Sequence, residues 1–183
     1  MKKPPHVIEI FLQPGEVYFG ARDTRIRTLL GSCVAITLWH PQLLIGGMCH
    51  FMLPARVAKG GENLDGRYAD EAMALLVREM RSAGTRPEQY HVKLFGGGNM
   101  FRVPERCEDS GSCQNVSCRN VMAARSLVAH YGQNVVAEHV GMQGHRNVIF
   151  DIWSGQVWMR HVSTSASVEK GQDGEQGECI HRR

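Results

Sequence analysis

Cys33 and His50 are the two residues of this chain whose types and setting could do covalent chemistry together. A thiol becomes a nucleophile when a neighbouring imidazole takes its proton, and the resulting imidazolium can then protonate a leaving group. Cys33 sits in Thr28-Leu29-Leu30-Gly31-Ser32-Cys33-Val34-Ala35-Ile36-Thr37-Leu38-Trp39. His50 sits in Leu44-Ile45-Gly46-Gly47-Met48-Cys49-His50-Phe51, with His40-Pro41-Gln42-Leu43 between the two stretches. Two strands joined by that four-residue loop are the simplest arrangement, with Pro41 where a type I turn favours proline. Pairing Trp39 with Leu44 sets Cys33 directly opposite His50, and opposed Cβ atoms lie about 4.5–5.5 Å apart. A bulge at Gly46-Gly47 would slip that register. Gly31 and Ser32 allow a sharp turn whose free amide N–H groups could hold an oxyanion. The plainer reading stays open beside this one: a strand cysteine is commonly a small buried hydrophobe, and a strand histidine a hydrogen-bonded structural residue.

The elements that would position the pair read as a mixed α and β domain, because short runs rich in Val, Ile, Phe and Trp alternate with two stretches of helical period. Strands are expected at Val7 to Leu12, Val17 to Phe19, Val34 to Trp39, Leu44 to Phe51, His91 to Phe95, Val135 to Glu138, Val148 to Trp153 and Gln156 to Val162. The last two form a hairpin through Ser154-Gly155. One helix is expected from Ala69 to Met80, with Asp70 and Glu71 in its first turn and Gly84 past its end. A second runs from Ser117, as N-cap, to Tyr131, with Gly132 as its stop. The polar stretch from Arg102 to Cys118 reads as a surface excursion. The tail from Ser163 to Arg183 has lost apolar periodicity, so residues 1–162 are read as one domain and 163–183 as disordered.

Whole-chain properties exclude several classes. A length of 183 residues with 43% hydrophobic content suits one domain with one active site. The net charge is +3, from 21 basic residues interleaved with 18 acidic ones, so no nucleic acid partner is expected. No apolar run approaches the ~20 residues of a membrane helix, and Glu9 interrupts any secretory apolar segment, so the chain is expected in the cytoplasm. Its six cysteines are then read as thiols.

Other candidate sites read as structural. Cys107, Cys113 and Cys118 could gather a metal with His91 or His130, but they form no C-x-x-C pair, and free loop thiols are expected. Cys49 should point to the face of its strand opposite to His50. Gly96-Gly97-Gly98-Asn99 matches no phosphate-loop pattern and suits unusual backbone angles or close packing. His145-Arg146 could line a substrate mouth or cap a strand, and the cap is favoured. Neither cofactor nor metal is expected, and the chain is read as a monomer.

Several motifs in order carry a resemblance: LGSCVAITLWHP, GGMCHFMLP, YADEAMALLVREM, FGGGNMF and AEHVGMQGHRNVIFDIWSGQVWMRHV. Together, from about Val7 to Val162, they resemble the CheD family of chemoreceptor glutamine deamidases. The resemblance implies two stacked mixed β-sheets with outer helices, as in cysteine hydrolases of the cytotoxic necrotizing factor type. It makes Cys33 the nucleophile and His50 the base, with Thr28 the nearest match to the family's site threonine. It implies hydrolysis of receptor glutamine side chains to glutamate, and it allows hydrolysis of receptor methyl esters. A CheC-like phosphatase is a partner it admits, and a non-enzymatic adaptor that binds receptors is the competing class. Before the second helix, Val116-Ser117-Cys118-Arg119-Asn120 stands where the family carries an I-G-E-R-N-like motif, and only Arg119-Asn120 match.

Overall fold

The computed structural model describes residues 3–56, 63–100, 115–163 and 178–179. The strands are β1 (Ile8–Phe11), β2 (Val17–Ala21), β3 (Thr24–Leu30), β4 (Val34–His40), β5 (Ile45–Phe51), β6 (His91–Gly96), β7 (Asn134–Val140), β8 (His145–Asp151), β9 (Gln156–Val162) and β10 (Glu178–Cys179). Helix α1 is Ala69–Ser82 and helix α2 is Val116–His130. The strands form two five-stranded sheets, ordered β1-β3-β8-β9-β10 and β2-β5-β4-β6-β7. Each is mixed, because β1 lies parallel to β3 and β6 parallel to β7 while the other pairings are antiparallel.

Side-chain alternation along β4 and β5 builds two core layers. Val34, Ile36, Leu38, Cys49 and Phe51 face the helices, packing with Ala72, Met73, Leu76, Val121 and Val128. Ala35 and Met48 face the other way, onto Ile26 and Leu30 of β3 and onto Val148, Phe150, Val157 and Met159. The second sheet is therefore covered on both faces, which explains why β4 and β6 read as nearly unbroken apolar runs rather than alternating ones. The α+β architecture of two stacked mixed sheets with outer helices is the one expected, with both helices packed on the β2-β5-β4-β6-β7 sheet.

Three expectations need correction. Strand β3 was not foreseen, because Arg25, Arg27 and Thr28 interrupt its apolar pattern. Arg25 is nonetheless buried with a partner: its Nε and Nη2 reach Asp151 at 2.6 and 3.0 Å, and it also lies over the Trp153 ring. Breaking that buried pair would cost about 3–5 kcal/mol. Second, helix α2 is capped by Asn115, whose side chain accepts from the Ser117 amide at 3.0 Å, rather than by Ser117. Third, Cys118 in the first turn of α2 is disulfide-bonded rather than a free thiol. Cys107 and Cys113 lie outside the described residues, as does most of the tail. Within that tail, Glu178 and Cys179 pair antiparallel with Met159 and Trp158.

Candidate active site

The β4–β5 register differs from the expected one by two residues. His40 pairs with Ile45 and Trp39 with Gly46, so the residue opposite His50 is Ala35. The loop is Pro41 to Leu44: Leu44 adopts a φ of 50°, and its amide donates to the His40 carbonyl at 3.0 Å, closing the turn one residue later at each end. No bulge forms at Gly46-Gly47. A slip of two residues preserves the face of every side chain. Cys33 therefore stays on the same side as His50, as its diagonal neighbour one residue before the start of β4, and it packs against the inter-sheet core.

Topology adds the third residue. Thr28 shares the inward face of β3 with Ile26 and Leu30, so it looks across the inter-sheet layer at His50 on β5. Thr28 Oγ1 lies 2.8 Å from His50 Nδ1 and donates to the Leu12 carbonyl, also at 2.8 Å. A hydroxyl has one proton. Since that proton goes to Leu12, Thr28 must accept from His50, which places the imidazole proton on Nδ1. Nε2 then carries the lone pair, and it is a buried atom without a hydrogen-bond partner. The sequence pattern favoured Thr28 only through resemblance, because a threonine between Arg27 and Leu29 carries no sign of burial.

Electrostatics set the resting state of the pair. Burial pushes the His50 pKa down to about 4, against the opposing pull of the Leu12 carbonyl and the Glu16 carboxylate. Burial also pushes the Cys33 thiol up, although the Ser32 hydroxyl and the residue's own amide pull it down. Both shifts favour neutral forms. At neutral pH the site therefore holds a thiol and an uncharged imidazole, not the thiolate–imidazolium couple that the spacing alone suggested.

Cys33 occupies the connection that carries the chain from one sheet to the other, since β3 and β4 belong to different sheets. That connection is gripped from outside. Gly97 donates to the Cys33 carbonyl at 2.7 Å and Gly98 to the Gly31 carbonyl at 2.8 Å. Gly96 and Gly97 have φ of 111° and 63°. A Cβ on Gly96 would lie 2.2 Å from the Cys33 carbonyl oxygen. The triple glycine thus serves close packing around the cysteine turn, as its sequence suggested. Asn120, fully buried on α2, holds the same turn: its Nδ2 donates to the Ser32 carbonyl at 3.2 Å and the Met52 carbonyl at 2.8 Å. Sequence reading gave Asn120 no role, although the Arg119-Asn120 match marked its place.

The remaining candidates fall elsewhere. Cys49 faces the helices, fully buried, with a pKa raised by burial to about 12. Arg146 is buried on β8, donating from Nε to His139 Nδ1 at 2.8 Å and from Nη2 to the Gly141 carbonyl. His145 is half-buried at the start of the same strand. Among the described residues no group of acidic, histidine and cysteine side chains is arranged to hold a metal, and no helix is long and apolar enough to cross a membrane.

The family model described as CheD chemotactic sensory transduction matches residues 52–161. A protein of Pseudomonas savastanoi pv. phaseolicola is 55% identical over 170 residues, covering 93% of each chain. One of Pseudomonas fluorescens is 53% identical over 161 residues, covering 88% of this chain and 89% of its own. The chain belongs to the CheD family. Both relatives bear the name "Probable chemoreceptor glutamine deamidase CheD". Among solved structures, the Bacillus licheniformis hypothetical protein YfiH aligns with 69% of this chain and 49% of its own at 13% identity, with a TM-score of 0.43. That likeness is too loose to bear on the chemistry of a CheD protein.

Proposed function

We propose that this chain hydrolyses glutamine side chains of chemoreceptors to glutamate, with Cys33 as nucleophile, His50 as general acid and base, and Thr28 as the residue that orients His50. The observation that carries this reading is the chain of hydrogen bonds from His50 through Thr28 to the Leu12 carbonyl. It leaves Nε2 as a buried, unpartnered base on the face that Cys33 shares. The names of the relatives supply the substrate class.

The chemistry follows from the neutral resting pair. His50 Nε2 takes the Cys33 proton as the sulfur attacks the carboxamide carbon, so ionisation and attack are coupled rather than sequential. The tetrahedral intermediate collapses by breaking the C–N bond, and His50 returns its proton to the leaving nitrogen, which departs as ammonia. Water then adds to the thioester with His50 again as base. Glutamate is released and the thiol restored.

A receptor methyl ester would pass through the same tetrahedral intermediate, with methanol leaving in place of ammonia, and is the second reading. A non-enzymatic adaptor is disfavoured, since binding alone needs no tautomer-locked imidazole on the face it shares with a thiol. The substrate helices of receptors lie in the cytoplasm, where the chain would act on them. Incubation with a receptor cytoplasmic fragment, followed by ammonia determination and mass spectrometry of the glutamine-bearing peptides, tests the reading. Ammonia with glutamate at defined positions is the expected result, and an unmodified fragment would overturn it.

A further inference from the structure

The turn that presents Cys33 has a one-sided pattern of hydrogen bonds. Each carbonyl of Gly31, Ser32 and Cys33 accepts a bond from outside the turn: from Gly98 N, from Asn120 Nδ2 and from Gly97 N. Among the described residues, in contrast, the amides of Ser32 and Cys33 donate to no backbone carbonyl. A peptide unit is planar and trans, so its C=O and N–H point in opposite directions. Asn120 belongs to α2, on the helix side of β4, and draws the Ser32 carbonyl to that side. The Cys33 N–H of the same peptide must then point the other way, into the layer that holds Cys33 and His50.

We propose that Asn120 is a positioning residue of the reaction, fixing the Ser32–Cys33 peptide so that its N–H forms the oxyanion hole for the tetrahedral intermediate. Asn120 Nδ2 also donates to the Met52 carbonyl, two residues beyond His50. One buried side chain thus ties the start of the nucleophile's strand to the end of the base's strand. Both partners are carbonyl oxygens, so the amide orientation is fixed by its bonds, with the nitrogen facing the turn. Preorganised donors aimed at the developing oxyanion are worth most where water is excluded, and a donor turned out of line forfeits that gain.

The inference rests on Cys33 acting as nucleophile, so its test must separate the two ideas. Cys33→Ala serves as the control in the same deamidation assay: if it retains activity, the nucleophile assignment fails whatever Asn120 does. With that control inactive, Asn120→Ala is compared with the unsubstituted chain in two reactions. Alkylation of Cys33 by iodoacetamide passes through no oxyanion and reports the thiol alone, whereas deamidation requires the oxyanion. Asn120→Ala should lower kcat for a receptor fragment by roughly 100-fold, the scale of losing one oxyanion donor, with KM little changed. The rate of Cys33 alkylation and its pH profile should stay within about twofold. Asn120→Ser, whose hydroxyl can still donate one bond, should recover part of kcat and covers the case in which the alanine variant does not fold. An unchanged kcat overturns the proposal. So does a matched fall in kcat and alkylation, or failure of both variants to fold, since either result would assign Asn120 to the architecture alone.

Discussion

Cys33 and Cys49 are the same residue type near one end of one strand pair, and the fold gives them opposite surroundings. Cys49 lies within β5 and faces the helices, sealed among Ile36, Met73, Leu76 and other apolar side chains, with burial holding its thiol protonated at a pKa of about 12. Cys33 lies just before β4, half-buried in the inter-sheet layer, where it meets the Ser32 hydroxyl, its own amide and the face that carries His50. Adjacent to His50 in sequence, Cys49 is separated from it by the thickness of a strand, because successive side chains point to opposite faces. Reactivity here is decided by which layer a side chain enters and by what ends the strand. Proximity in sequence to a base decides nothing.

The sharpest break in that comparison would come from His50. His50→Ala should lower kcat by roughly 10²–10⁴-fold, the usual scale of general acid–base catalysis, in steady-state assays on a receptor fragment. On the proposal that Cys33 and His50 act as a unit, adding Cys33→Ala should make matters scarcely worse. A loss smaller than tenfold would show that Cys33 finds its base elsewhere.

Thr28→Val keeps shape while removing the acceptor that fixes the His50 tautomer. The buried Nδ1–H then has no partner, at a stability cost of about 1–3 kcal/mol. A fall in kcat of about 10- to 100-fold should accompany it, a fraction of the general acid–base contribution. Thermal melting and kinetics on the same sample separate the two effects. Unchanged activity would remove Thr28 from the site.

The pH dependence sharpens the comparison further. His50 must be unprotonated to act as base, and burial lowers its pKa from 6.5 to about 4. The acid limb of kcat/KM should therefore fall near pH 4 rather than near 6.5, with a plateau across neutral pH. Stability follows the same sign: the unfolded chain takes up the proton first, so the contribution of a neutral His50 is present above 6.5 and lost as pH falls towards about 4. NMR titration of the His50 ring checks the assignment, and a midpoint at 6.5 would mean that water reaches the ring freely. Alkylation of native Cys33 should climb steadily through pH 8, its thiol lying above the ordinary value of 9.0. Cys49 should stay unlabelled.

The smallest effect belongs to the other cysteine. Cys49→Ala removes one atom from the helix-side core and should cost roughly 1 kcal/mol, comparable with a buried Ile→Val change. Denaturant unfolding measures it, and kcat should not move.

Much of this was legible in the sequence because apolar patterning reports burial directly. Both helices and the runs of β4, β5, β6 and β9 follow from it. Strand β3 escaped because its buried positions include Arg25 and Thr28, whose burial depends on Asp151, Leu12 and His50, all distant in sequence. The faces of Cys33 and His50 were predictable because strand alternation survives a slip of two residues. Their exact register was not, since it turns on Leu44 adopting a positive φ, which its residue type does not announce. The neutral state of the pair was likewise hidden: spacing brings a thiol to an imidazole, but only burial on both sides tells which protons they hold. Asn120 shows the same limit, its bonds running to carbonyls 88 and 68 positions away.

The most direct test of the account sets the two cysteines against each other on the same substrate. A receptor cytoplasmic fragment is incubated with equal amounts of Cys33→Ala and Cys49→Ala, and its glutamine-bearing peptides are weighed for the gain of ~1 Da that accompanies replacement of NH₂ by OH after attack by the nucleophile. Cys49→Ala should convert glutamine as the unsubstituted chain does, and Cys33→Ala should leave every peptide at its starting mass. Conversion by Cys33→Ala, or an inactive but folded Cys49→Ala, would contradict the assignment of the nucleophile.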